Sequence, residues 1–122
     1  MTKAGDGLDL SIRLRQGARN VLGPGKLALL AAIAETGSIS GAGRTLGMSY
    51  RRAWLLVEAM NQSFTVPLVA ASHGGAHGGG AALTEEGRTV LERFRAIERK
   101  ARAATRAEQR AIAKLMRPRD AE

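Results

Sequence analysis

Leu8, Leu10, Ile12 and Leu14 alternate with Asp9, Ser11, Arg13 and Arg15, the two-residue period of a half-buried strand. Gly23-Pro24-Gly25 marks a turn, after which the spacing becomes helical. Within residues 26–35, Leu27, Leu30, Ala31 and Ala34 fall at i, i+3, i+4 and i+7, which predicts one buried stripe. Gly37 ends that helix. Ser38 or Ser40 can cap a short helix containing Ile39, Ala42 and Leu46, which Gly47 closes. Gly41, Ala42 and Gly43 are all small. Their weak helix propensity is tolerable where a second helix packs closely on them. Ser49 then caps a helix running from Tyr50 to about Gln62, with Ala53, Leu56, Val57 and Met60 as its core stripe. Tyr50, Arg51 and Trp54 lie on a different face, with Arg52 at its margin.

Two capped helices joined by a glycine turn, the second with a basic and aromatic outer face, describe a helix-turn-helix. Val66-Pro67-Leu68-Val69-Ala70-Ala71-Ser72 reads as an edge strand, because Pro67 cannot donate a ladder hydrogen bond. Ala81-Ala82-Leu83 reads as its return strand, across a glycine-rich connector, and the pair forms a wing. Thr84 caps a long helix with Glu85 and Glu86 in its first turn, where acids favour the helix dipole. Val90, Phe94, Ile97, Ala101, Ala104, Ala111 and Leu115 carry a heptad-like seam towards Pro118, interrupted by Glu108. The first half of that helix can pack on its own domain, and the second half predicts a second subunit. The dimerisation candidates are Phe94, Ile97, Ala101, Ala104, Ala111 and Leu115. The expected fold is mainly α with a small β wing: a winged helix-turn-helix followed by a long C-terminal dimerisation helix. Its parts are a flexible N-terminus (1–7), the winged helix-turn-helix (8–84), the long helix (85–117) and a tail (118–122). Within the second part, the helix-turn-helix takes about 38–64 and the wing about 66–84.

Charge adds a partner. The 122 residues hold 19 Lys and Arg against 11 Asp and Glu, a formal charge of +8, which favours a polyanion, most simply double-stranded DNA. Residues 85–122 contribute eleven basic and seven acidic side chains, so much of that charge solvates a helix face. The absence of Cys excludes disulfides, Cys-ligated zinc and thiol catalysis, and fits a cytoplasmic location. No apolar run reaches the roughly 20 residues that span a bilayer, so no membrane association is expected.

The remaining chemistry is sparse. His73 and His77 are four residues apart, but the surrounding glycines preset no metal geometry, and no nearby carboxylate supports acid–base work. No GK[ST] follows the glycine run, so it is not a phosphate loop. No convergent catalytic set is visible and an enzyme is not expected. The DNA-binding candidates are Ser38, Ser40, Ser49, Tyr50, Arg51, Arg52 and Trp54. The wing contributes His73, Gly74, Gly75, His77, Gly78 and Gly79. Two alternatives stand beside specific DNA reading. One is a helical interaction protein docking an acidic partner or a separate sensor protein, and the other is non-specific DNA binding.

Gly37-Ser38-Ile39-Ser40, then Ala42 to Gly47, Met48-Ser49-Tyr50-Arg51-Arg52-Ala53-Trp54, Met60-Asn61 and the wing ending in Leu83-Thr84 resemble the N-terminal domain of the ModE family. These are molybdate-responsive bacterial transcription regulators with a winged helix-turn-helix similar to that of LysR-type regulators. The resemblance covers residues 8 to about 105. It implies a dimeric, sequence-specific regulator that presents Ser49, Tyr50, Arg51, Arg52 and Trp54 to the major groove and pairs through its terminal helix. Fully regulated members carry C-terminal oxyanion-binding domains. The 122 residues leave no room for one, so no cofactor is expected and molybdate binding is carried over to no residue.

Overall fold

The computed structural model describes residues 8–72 and 80–118. The alternation at the start yields less strand than its period predicts. Only β1 (Leu14–Gln16) forms a ladder, pairing antiparallel with β2 (Arg19–Leu22) across a turn in which Gly17 has φ 61°. The partner strand is four residues long and the register shifts after Leu14, so the ladder stops at Leu14. Leu8, Leu10 and Ile12 are half-buried without a ladder, and Ile12 packs against the core.

Helix α1 (Pro24–Thr36) starts on a proline, whose missing N–H costs nothing in a first turn. It is the central helix and not a one-stripe surface helix: Leu27, Leu29, Leu30, Ala32 and Ile33 are all buried, while Ala34 is exposed. Elements α2, α3, α4, β2 and β4 all pack on it, which explains burial beyond the single expected stripe.

Helices α2 (Ile39–Leu46) and α3 (Tyr50–Ser63) form the expected pair. Ser38, not Ser40, caps α2, its Oγ accepting from the Gly41 amide at 2.8 Å. Gly47 closes α2 in the left-handed region at φ 70°, where a side chain is strained. The small-residue stretch packs as its composition requires. Gly41, Ala42 and Gly43 are buried, and a Cβ on Gly43 would stand 3.1 Å from the Met48 carbonyl oxygen and 3.5 Å from the Ala53 Cβ.

The wing strands β3 (Val69–Ser72) and β4 (Gly80–Leu83) pair antiparallel in the register Val69↔Leu83 to Ser72↔Gly80. Asn61 fastens them to α3. Its Oδ1 accepts from the amides of Leu68 (2.8 Å) and Val69 (3.1 Å), and its Nδ2 donates to the Val69 carbonyl (3.0 Å). The Ala81 amide donates to the Gly37 carbonyl at 2.9 Å, tying β4 to the turn between α1 and α2.

Thr84 caps α4 (Glu85–Ala104), its Oγ accepting from the Gly87 amide (3.0 Å) and donating to the Pro67 carbonyl (2.8 Å). Gly87 is a steric necessity, since a Cβ there would run into the Leu68 carbonyl group. The expected single helix over 85–115 is interrupted at Thr105 (φ −110°, ψ 14°), and α5 (Arg106–Lys114) follows. The Thr105 hydroxyl donates to the Ala101 carbonyl at 2.8 Å, a local bond that competes with regular helix geometry. Phe94 is 1% exposed and lies among Leu29, Leu30, Ile33, Met60 and Leu68 in the fully buried centre. This corrects its place among the dimerisation residues, because its own chain already encloses it.

Candidate nucleic-acid interface

A helix turns about 100° per residue, which fixes what α3 presents to solvent. Ala53, Val57 and Met60 are buried and define the inward direction. Arg51 and Leu55 then fall about 160–200° away, on the side opposite the core, with Arg52, Tyr50 and Trp54 on the flanks. The exposures agree: Tyr50 57%, Trp54 42% and Leu55 47%, with both arginines exposed. Trp54 is therefore not a core residue. The burial of Ala53, Val57 and Met60 leaves it outside the stripe.

Ser49 holds the start of this helix. Its Oγ accepts from the Arg52 amide at 3.1 Å, which leaves the hydroxyl proton to donate outward. The Tyr50 and Arg51 amides are first-turn donors with no acceptor among the described residues, and they point where the helix dipole favours an anion. Neither Arg51 nor Arg52 is ion-paired among the described residues, where the one salt bridge joins Arg102 Nε to Asp9 at 3.9 Å. Two unpaired guanidinium groups, a serine cap and free amides on one helix start suit phosphate and base edges.

Other expected residues fall elsewhere. Ser38 is half-buried with its oxygen engaged in its cap, whereas Ser40 is exposed on α2. The wing residues His73, Gly74, Gly75, His77, Gly78 and Gly79 lie outside the described residues. Ile97 is 38% exposed, Ala101 half-buried, Ala104 and Ala111 exposed, and Leu115 88% exposed. Among the described residues no group of three or more His, Cys, Asp or Glu is placed to hold a metal ion. No described helix is long and apolar enough to cross a membrane.

Two residues escape a reading by motif. Leu55 was detectable, since it stands about 200° from Ala53 on the helix and so could not join the core stripe. Asn61 was visible only as part of a Met-Asn pair. Its role depends on backbone groups seven and eight residues away that no helical periodicity signals.

Residues 25–88, from α1 into the start of α4, match the model of the bacterial regulatory helix-turn-helix proteins of the lysR family. The chain belongs to that family. The match is to a regulatory helix-turn-helix family and not to a family of enzymes. The ModE resemblance is also borne out. The molybdenum-pterin-binding protein MopB of Rhodobacter capsulatus is 50% identical over 84 residues, which are 69% of this chain and 30% of MopB. The DNA-binding transcriptional dual regulator ModE of Escherichia coli (strain K12) is 36% identical over 85 residues, 70% of this chain and 32% of that protein. The LysR-type chain thus spans about a third of the length of the curated relatives it matches. Among solved structures, the complex of the CbnR DNA-binding domain with DNA superposes with a TM-score of 0.54 at 27% identity, covering 75% of this chain and 95% of that one.

Proposed function

We propose that the chain is the DNA-reading part of a sequence-specific, cytoplasmic transcription regulator of the ModE type, acting as a two-fold dimer. The observation that carries this reading is the outward face of α3. Its exposed arginines and aromatic side chains have no task inside the fold. Likeness to a DNA-binding domain solved with DNA supports the same reading.

In this mechanism the Ser49 hydroxyl and the first amides of α3 hold a phosphate and fix the register. Arg51 reaches guanine O6 and N7, Tyr50 approaches base edges, and Arg52 supports the phosphate contact. Trp54 packs on a sugar or thymine methyl, and Leu55, one turn below Arg51, meets a thymine methyl. The wing follows the adjacent backbone. Ile97, Ala101, Ala104, Ala111 and Leu115 pair the two copies, which sets half-sites about 34 Å apart.

The names of the relatives support a molybdenum-linked response, with oxyanion sensing outside the matched third of those proteins. Selection of bound DNA from a random pool, with and without molybdate, tests the proposal. The expected product is a two-fold motif that is the same in both arms. With about six phosphates neutralised per dimer, log affinity falls against log salt with a slope of about −5. Equal affinity for the selected motif and its scrambled version refutes specific reading. Loss of partner binding but not of DNA binding in Arg51→Ala would move the helix face to a protein interface.

A further inference from the structure

The β1–β2 hairpin precedes the segment that matches the LysR-type model, and it stands off the body of the fold. From Arg13 to Asn20 every residue is exposed. A two-stranded ladder is marginal in water by itself, and this one is fastened at its root. Leu22 is buried, and Ile12 and Val21 pack against the core. Lys26 Nζ donates to the carbonyls of Asn20 (3.0 Å) and Val21 (3.4 Å).

The charge of this hairpin has one sign. Between Leu10 and Ala34 the chain has no Asp or Glu but carries Arg13, Arg15, Arg19 and Lys26. None of the three arginines is ion-paired among the described residues. The Arg15 and Arg19 guanidinium groups reach neutral oxygens across the turn, the Ala18 carbonyl (3.5 Å) and Gln16 Oε1 respectively. Arg13 runs along Gly23, where a Cβ would stand 3.2 Å from its Cγ.

Composition selects the partner. The projecting residues Arg15-Gln16-Gly17-Ala18-Arg19-Asn20 offer guanidinium and amide donors and no large apolar side chain. Protein interfaces are anchored by aromatic or apolar side chains, and membrane-surface segments insert them. A phosphate backbone asks for charge and donors alone, which is what the hairpin presents.

Its position suits the DNA that α3 reads. Strand β2 leads through Gly23 into the start of α1 and packs on α3 as well. The β3–β4 wing is tied to the other end of α1 by the Ala81 amide, and to α3 by Asn61. The 13 residues of α1 separate the two attachments by about 20 Å. That exceeds the roughly 12 Å width of a major groove, so the two hairpins can bracket the groove that receives α3.

We propose that the β1–β2 hairpin is a second wing, whose Arg15 and Arg19 hold DNA phosphates on the side of the groove away from β3–β4. This rests on the DNA reading of the proposed function and assigns its backbone contacts. With Arg52, the two arginines supply three phosphate contacts per protomer, which accounts for the about six expected per dimer.

Arg15→Gln with Arg19→Gln changes two exposed side chains, and circular dichroism checks that the fold is kept. The slope of log affinity against log salt is expected to move from about −5 to about −2. Binding weakens equally on the selected motif and on its scrambled version, because phosphate contacts carry no sequence. The cysteine-free sequence allows the contact to be mapped. Ala18→Cys on the hairpin turn and Ala71→Cys on β3, both exposed positions, each take an iron–EDTA label that cuts nearby DNA. The two labels are expected to cut on opposite sides of each half-site. A slope that stays near −5 in the double variant overturns the second wing, whatever the affinity. An Ala18 label that leaves the operator intact while the Ala71 label cuts it does the same, and both results leave the reading by α3 standing. A parent chain that selects no motif from a random pool overturns the α3 reading and the second wing together.

Discussion

Asn61 is the bolt between the recognition helix and the wing, and its removal is the most direct test of how the two are kept in register. Asn61→Ala deletes three hydrogen bonds, two accepted from Leu68 and Val69 amides and one donated to the Val69 carbonyl. Each contributes about 0.5–1.5 kcal/mol net, which sums to about 1.5–4.5 kcal/mol. The site is only part-buried, so water re-solvates some of the orphaned groups and places the cost at about 2–3 kcal/mol. For a domain of this size that lowers Tm by about 8–15 °C. Asn61→Asp keeps the Oδ1 acceptor of both amides but sets a carboxylate oxygen against the Val69 carbonyl, which Nδ2 now meets at 3.0 Å, so it is expected to destabilise as well. Thermal unfolding followed by circular dichroism, with denaturant midpoints as a second measure, gives both numbers. An Asn61→Ala protein melting within about 2 °C of the parent would show that the wing is held by something else.

Two further outcomes follow from the packing and the outward face of α3. Gly87→Ala gains about 1 kcal/mol of helix propensity but puts a methyl into the Leu68 carbonyl. Overpacking of about 1–3 kcal/mol dominates, so a net fall in denaturant midpoint is expected, and an increase refutes the close approach. Replacing single thymines by uracil in the selected operator removes only the 5-methyl group. One position, within about two base pairs of the guanine read by Arg51, is expected to weaken binding a few-fold, and Leu55→Ala is expected to be indifferent to that change. A Leu55→Ala protein with the same uracil penalty as the parent removes Leu55 from base reading.

The helix-turn-helix was legible because everything that sets it is local. Ser38, Gly37, Gly47 and Ser49 act on amides or dihedrals within three residues of themselves, and the structure uses each of them as its type suggests. The wing strands were legible as a hairpin, although the first begins at Val69 and leaves Val66, Pro67 and Leu68 of the expected strand outside the ladder. What escaped depends on distant partners. The alternation of residues 8–15 is a true two-residue pattern, yet a ladder needs a second strand, and among the described residues it finds one at 19–22, paired with 14–16. The buried surface of α1 is wider than the single expected stripe, because periodicity reports one face and cannot register that five other elements converge on the same helix.

The C-terminal segment separates the two kinds of information most clearly. Its heptad-like spacing treats Phe94 and Leu115 as equivalent positions on one seam, but Phe94 is 1% exposed and Leu115 is 88% exposed. The seam is thus two surfaces in series: an intramolecular one, used up by the core through Leu91 and Phe94, and an uncovered one beginning near Ile97. Thr105 falls within the uncovered part, where its hydroxyl bond to Ala101 perturbs the helix without disturbing the core. The break is local, because the Thr105 and Gln109 amides keep their backbone bonds to residues 101 and 105 across it. Thr105→Ala, which removes that hydroxyl and raises helix propensity, is expected to raise helicity by circular dichroism slightly while leaving operator binding by the α3 face unchanged.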